Sequence, residues 1–261
     1  MFRSLATAAS GMEAEQTKLD VTANNIANVS TNGFKRGRAE FADLIYQQTR
    51  GAGAATGAGT MAPAATEIGL GVRLTSTARE HSQGELHNTG NQLDVAVEGK
   101  GFLPVTMPNG TTQYTRNGAL QMTAEGKLVT SDGYAVGGDI TIPPDAQSVT
   151  IAADGTVTAT TATDVTATTL GQIQIASFAN PGGLEGQGGN LFRETAASGT
   201  AVLGNPGEGG AGTIRQGTLE VSNVNVVEEM VDLISGQRAY EVNSRVIKAA
   251  DEMLGETAQL H

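Results

Sequence analysis

The stretch VVEEMVDLISGQRAYEVNSRVIKAADEML, residues 226–254, sets Val226, Leu233, Tyr240, Ile247 and Leu254 at an unbroken interval of seven. Ala239, Val246 and Met253 form a second row beside them. A seven-residue apolar repeat keeps one helix face turned to a partner along its whole length when the pair supercoils. Ser222, Asn223 and Asn225 are N-cap candidates ahead of the run, and Glu228 and Glu229 suit the positive end of the helix dipole. Glu241 and Arg245 stand four apart in the favourable order. Gly236 weakens the middle. A helix of about thirty residues exceeds the usual globular length and asks for a coiled coil or a shared bundle.

The other end of the chain answers it. Phe2, Leu5, Ala9, Met12, Gln16, Leu19, Ala23 and Ile26 alternate intervals of three and four, a seam over a rod of about 40 Å. Gly11 costs such a helix about 1 kcal/mol against Ala, which a close helix crossing would explain. The run NVSTNG at 28–33 ends the pattern, with Gly33 suited to a left-handed cap. LDVT at 19–22 and LEVS at 219–222 open similar Asn-rich stretches, marking two junctions between helix and middle. Amides flanking a seamed helix can bond neighbouring backbone and fix register.

Between the ends the chemistry changes. Residues 50–67, RGAGAATGAGTMAPAATE, hold almost nothing to bury and read as a flexible linker. From 68 to about 178, short β-branched runs alternate with PNG, RNG, EG, SDG and ADG turn signals, as in antiparallel hairpins. Residues 204–217 are a second Gly-rich passage. The fold class is α+β: long N- and C-terminal helices forming a coiled-coil-like α domain, with a mainly antiparallel all-β central domain. The expected segments are 1–33, 34–85, 86–218 and 219–261. Neither seam has enough apolar surface elsewhere in the chain to cover it, so the helices need each other and an assembly.

Composition narrows the function. The net charge is −11, and FKRGR at 34–38 is the one compact basic run, read as a solvated turn; a nucleic-acid footprint is excluded. With no cysteine among 261 residues, disulfides, Cys-ligated zinc and thiol chemistry are out. No run reaches the length of about eighteen apolar residues that a membrane span needs, and MFRSLATAASGM lacks a signal-peptide core, so it reads as mature protein. His81 and His87 lie six apart, a poor metal pair, and read with His261 as ordinary solvated or turn histidines. The Gly clusters lack the P-loop's Lys-Ser/Thr, and GxSxG is absent. The acids of the middle sit in turn contexts. Neither cofactor nor metal is expected, and no enzyme.

SGMEAEQTKLDVTANNIANVSTNGFKR at 10–36 resembles the N-terminal signature of bacterial flagellar rod and hook proteins. LEVSNVNVVEEMVDLISGQRAYEVNSRVIKAADEML at 219–254 is similar to the matching C-terminal segment. Residues 91–136 resemble the central module. Length and the extra stretch at about 46–66 resemble the distal-rod branch; proximal rod and hook subunits are the alternatives, and a β-domain enzyme or adhesin a remote one. The resemblance implies a helical homopolymer around a channel, the C-terminal helix inside, the N-terminal helix around it and the β domain outermost. It implies a basal-body rod in the periplasm, extending through the outer membrane, whose subunits pass through the flagellar export apparatus with no cleaved signal. Implied partners are other copies of the chain, proximal rod proteins, the hook protein or hook–rod junction, and the peptidoglycan-associated and outer-membrane rings. Carried over by position, the polymer contacts would be Leu5, Met12, Leu19, Asn24, Asn25, Ile26, Asn28, Phe34, Asn223, Asn225, Val226, Leu233, Gln237, Tyr240, Ile247 and Leu254.

Overall fold

The computed structural model describes residues 2–57, 60–138, 140–161 and 167–259, so His261 lies outside the described residues. The chain forms two compact units: Met1–Ala27 with Gly37–Ala78 and Asn225–His261, and Asn28–Arg36 with Arg79–Val224.

In the first unit, helix α1 (Phe2–Ala27) packs along helix α2 (Val226–Gln259), 26 and 34 residues long, or about 39 and 51 Å. Two glycines bring their backbones together. A Cβ on Gly11 would lie 3.0 Å from Asn243 Nδ2, and one on Gly236 would lie 3.1 Å from Leu19 Cδ2. The helical cost of glycine is thus offset by close approach. On α1 the covered row runs through Leu5, Ala8, Met12, Glu15, Leu19, Thr22 and Ile26, while Ala9, Gln16 and Ala23 are exposed. Leu5, Met12, Leu19 and Ile26 belong to both rows, whereas at Ala9, Gln16 and Ala23 the covered residue stands one position earlier; the side chain of Phe2 lies outside what is described. The buried amide of Asn25, described below, fixes this rotation. On α2 the covered row is Glu229, Leu233, Gly236, Asn243, Ile247, Ala250 and Leu254.

The same unit contains strand Gly37–Asp43 and, as far as Ala78, the strand Val72–Arg79 that pairs with it. The described residues of 50–67, whose composition reads as linker, belong to a ribbon. Tyr46–Arg50 pairs antiparallel with Thr66–Gly69, and Ala55–Gly57 with Thr60–Met61. Backbone ladders need no apolar side chain, so Gly, Ala and Thr suffice for pairing. They leave it bare: Tyr46, Ile68 and Met61 are exposed.

The second unit is an antiparallel β domain. Its largest sheet has seven strands in the order Leu120–Met122, Leu128–Thr130, Ala135–Val136, Leu103–Thr106, Thr112–Thr115, Leu191–Arg193, Glu185–Gly188. A second sheet joins Ala146–Ile151, Thr156–Thr161 and Thr168–Gln172. Val95, Leu103, Val105, Leu128, Ile142, Ile151, Val157, Ile173 and Ile175 make an aliphatic core. The few aromatic residues gather instead: Phe102, Phe178, Phe192 and Tyr114 form one edge-to-face cluster. The turns at PNG, EG, SDG and ADG appear where expected. RNG does not turn a hairpin. Gly118 passes so close to the Val95 carbonyl that no side chain fits.

Candidate assembly interface

The signature amides fold the chain at its junctions. Asn25, 2% exposed, imitates a backbone partner for Gly37: its Nδ2 donates to Gly37 O at 2.9 Å and its Oδ1 accepts the Gly37 N–H at 2.9 Å. The same Nδ2 donates to Glu229 Oε2 at 3.1 Å, linking α1 to α2. Asn28 Oδ1 accepts the Thr31 hydroxyl at 3.2 Å in the turn that follows. In the β unit, Asn223 Oδ1 accepts the Arg36 N–H at 2.7 Å, and its Nδ2 donates to Glu80 O at 2.9 Å. Asn225 caps α2, its Oδ1 accepting the Val227 N–H at 3.1 Å. Gly33 (φ +71°) lies in the left-handed region and donates its N–H to Glu220 O at 2.8 Å, and Phe34 beside it is buried.

The β unit also holds an ion cluster that sequence reasoning missed. Lys35, read as part of a solvated turn, is 1% exposed. Its Nζ donates to Glu220 Oε1 at 2.5 Å and to Ser82 O at 2.7 Å. Glu220 Oε2 accepts Arg116 Nη1 at 3.2 Å, and Oε1 also accepts the Gly84 N–H at 2.9 Å. Arg116 completes its fork on Val97 O and Gly99 O. One carboxylate thus carries two buried cations, tying the segment Asn28–Arg36 to the β domain. Burial lowers the Lys35 ammonium pKa against the raising pull of Glu220.

His81 also departs from its reading as a solvated residue. It lies edge-on to Phe102 and to Phe192, ring centroids 5.4 Å away in each case, with neither ring nitrogen hydrogen-bonded. Burial first, then the charges of Lys35, Arg116 and Arg79, push its pKa down to about 4. His87 is exposed on a strand, and no group of metal-ligand type occurs among the described residues.

The expected contact residues therefore divide. Leu5, Met12, Leu19, Ile26, Leu233, Ile247 and Leu254 are half-buried on the two helices, and Asn25, Asn28, Phe34, Asn223 and Asn225 work at the junctions. Asn24, Val226, Gln237 and Tyr240 are exposed. The structure adds residues the sequence reading passed over. Val227, Met230, Val231 and Ile234 share one face of α2, away from the row that meets α1, and are 70%, 54%, 61% and 54% exposed. Their i, i+3, i+4, i+7 spacing was the available signal, hidden beneath the stronger seven-residue row.

Two long helices that cover only part of each other's apolar surface, attached to an antiparallel β domain, suit a structural subunit of an axial kind. Comparison with known proteins agrees. Residues 5–35 match the family described as "Flagella basal body rod protein", 96–159 match "Flagellar hook protein FlgE/F/G D1 domain", and 215–260 match "Flagellar basal body rod FlgEFG protein C-terminal". The chain is 50% identical to the flagellar basal-body rod protein FlgG of Agrobacterium fabrum, covering 97% of each chain. It is 48% identical to that of Caulobacter vibrioides over 99% of each, and 44% identical to that of Bacillus subtilis over 100% of this chain and 99% of the relative. The chain belongs to the flagellar basal-body rod family and is a rod subunit of the FlgG type: a structural component of the flagellar axis, not an enzyme. No described helix is long and apolar enough to cross a membrane.

Proposed function

We propose that the chain builds the distal rod as a helical homopolymer around a channel and carries torque from motor to hook. The outward apolar face of α2, Val227, Met230, Val231 and Ile234, supports this most directly. In water that face forfeits about 25 cal/mol for every Å² left uncovered, and repeated copies of the same helix pair would cover it. Gln237 and Tyr240 lie on the same helix, and Asn24 on α1, as further contacts. The bare ribbon of residues 46–69 offers unpaired strand edges to neighbouring copies. Partners are other copies, proximal rod proteins on one side, the hook protein or hook–rod junction on the other, and the peptidoglycan-associated and outer-membrane rings around them. Delivery is through the flagellar export apparatus to a rod that crosses the periplasm and outer membrane. The test replaces Val231→Glu and Ile234→Glu together: assembled rods are lost while the monomer keeps its β signal by circular dichroism. Normal rods from the double variant would remove the support this face gives.

A further inference from the structure

A cavity of about 500 Å³ opens in the β unit beside the ion cluster, walled by His81, Lys100, Phe102, Arg116, Phe178 and the Gly209–Gly210 loop. Two cationic side chains, Lys100 and Arg116, line it. None of the residues lining it is an Asp or Glu. Behind the wall, Lys35 and Arg116 share the single carboxylate of Glu220, leaving one buried positive charge uncompensated. Arg79, exposed at the end of its strand, stands 5.6 Å from the centre of the Phe192 ring. Arg116 is 4% exposed, and its Nε–H is the one guanidinium nitrogen with no hydrogen-bond partner. A guanidinium buried with an unmet donor is a costly arrangement unless an acceptor arrives. Phe102, Phe178 and Pro181 supply apolar walls beneath the charge.

We infer that this cavity is a binding site for a carboxylate carried on an apolar body, the anion meeting Lys100 and Arg116 and the body resting on Phe102 and Phe178. A compact multivalent anion would gain nothing from those rings, whereas a carboxylate with an aromatic or branched group uses both parts of the wall. The source is either a free molecule or an acidic side chain of a second copy together with an apolar neighbour. The chain's net charge of −11 makes its own surface a supply of such groups.

The test titrates the full-length chain with benzoate, following backbone amide and aromatic side-chain resonances, with benzamide as the neutral isostere. Expected are saturable shifts of the Gly209 and Gly210 amides and the Phe178 ring, with benzamide at least about tenfold weaker, since it lacks the charge. Lys100→Ala, on an exposed residue, should weaken benzoate several-fold and leave the fold unchanged. Arg116→Lys should abolish binding; should it also unfold the domain, Lys100→Glu gives the same readout. Equal binding of benzoate and benzamide, no saturable shift, or indifference to Lys100→Ala would overturn the inference. Binding of the free probe does not depend on polymerisation, so its failure leaves the assembly reading untouched. In assembled rods, loss of benzoate binding assigns the carboxylate to a second copy, and retained binding assigns it to a free molecule.

Discussion

Glu220 is the residue on which the β unit depends most. Its carboxylate meets two cations that have no other anionic partner among the described residues, so Glu220→Gln should cost about 3–5 kcal/mol, the usual loss when a buried ion partner is removed, read as a lower urea midpoint. His81 imposes a pH dependence of known sign. The folded state holds its pKa near 4 against 6.5 when free, so between those values the unfolded chain binds the extra proton. Stability should fall as pH drops from about 6.5 to about 4, by up to about 3 kcal/mol, and level off below. His81→Leu should flatten that slope in urea melts taken across the range; an unchanged slope would assign it to other groups. Neither residue's role is legible in sequence. Lys35 sits in a local basic run that looks solvated, and its partner is 185 positions away.

At the scale of elements, the sequence was most legible where periodicity is long. Both helices, the close crossing at Gly11 and the antiparallel β character follow from residue spacing and turn signals, whereas Gly236 reads only as a weak point and proves to be a second crossing. The rotation of α1 does not, because rows through Ala8 and Ala9 flank the same Leu and Met positions, and only Asn25, reaching Gly37 and Glu229, decides between them. The ribbon at 46–69 was illegible for a different reason: its pairing is carried by backbone and leaves no apolar alternation to read. Gly236→Leu should overpack the crossing against Leu19, with a cost of about 1–3 kcal/mol, seen as earlier loss of helical signal on heating. Removing residues 46–66 should alter rod stiffness or curvature in electron micrographs of assembled rods; unchanged mechanics would leave the ribbon a passive connection.

Across the whole molecule, the division into units sets where truncation is tolerated. The segment Asn28–Arg36 belongs with the β domain through Lys35, Gly33 and Asn223. Deleting residues 1–27 should therefore abolish rod assembly while the β domain stays folded, and extending the deletion through residue 36 should destabilise that domain too. The proposed assembly itself is tested most directly by one labelling measurement. The chain has no cysteine, so Ile234→Cys introduces a single thiol on the outward face of α2. Its maleimide labelling rate is compared in monomer and in assembled rods. Protection in the rod by at least about a hundredfold is expected of a group buried between packed copies. Equal labelling in both states would show the face bare in the polymer and contradict the account.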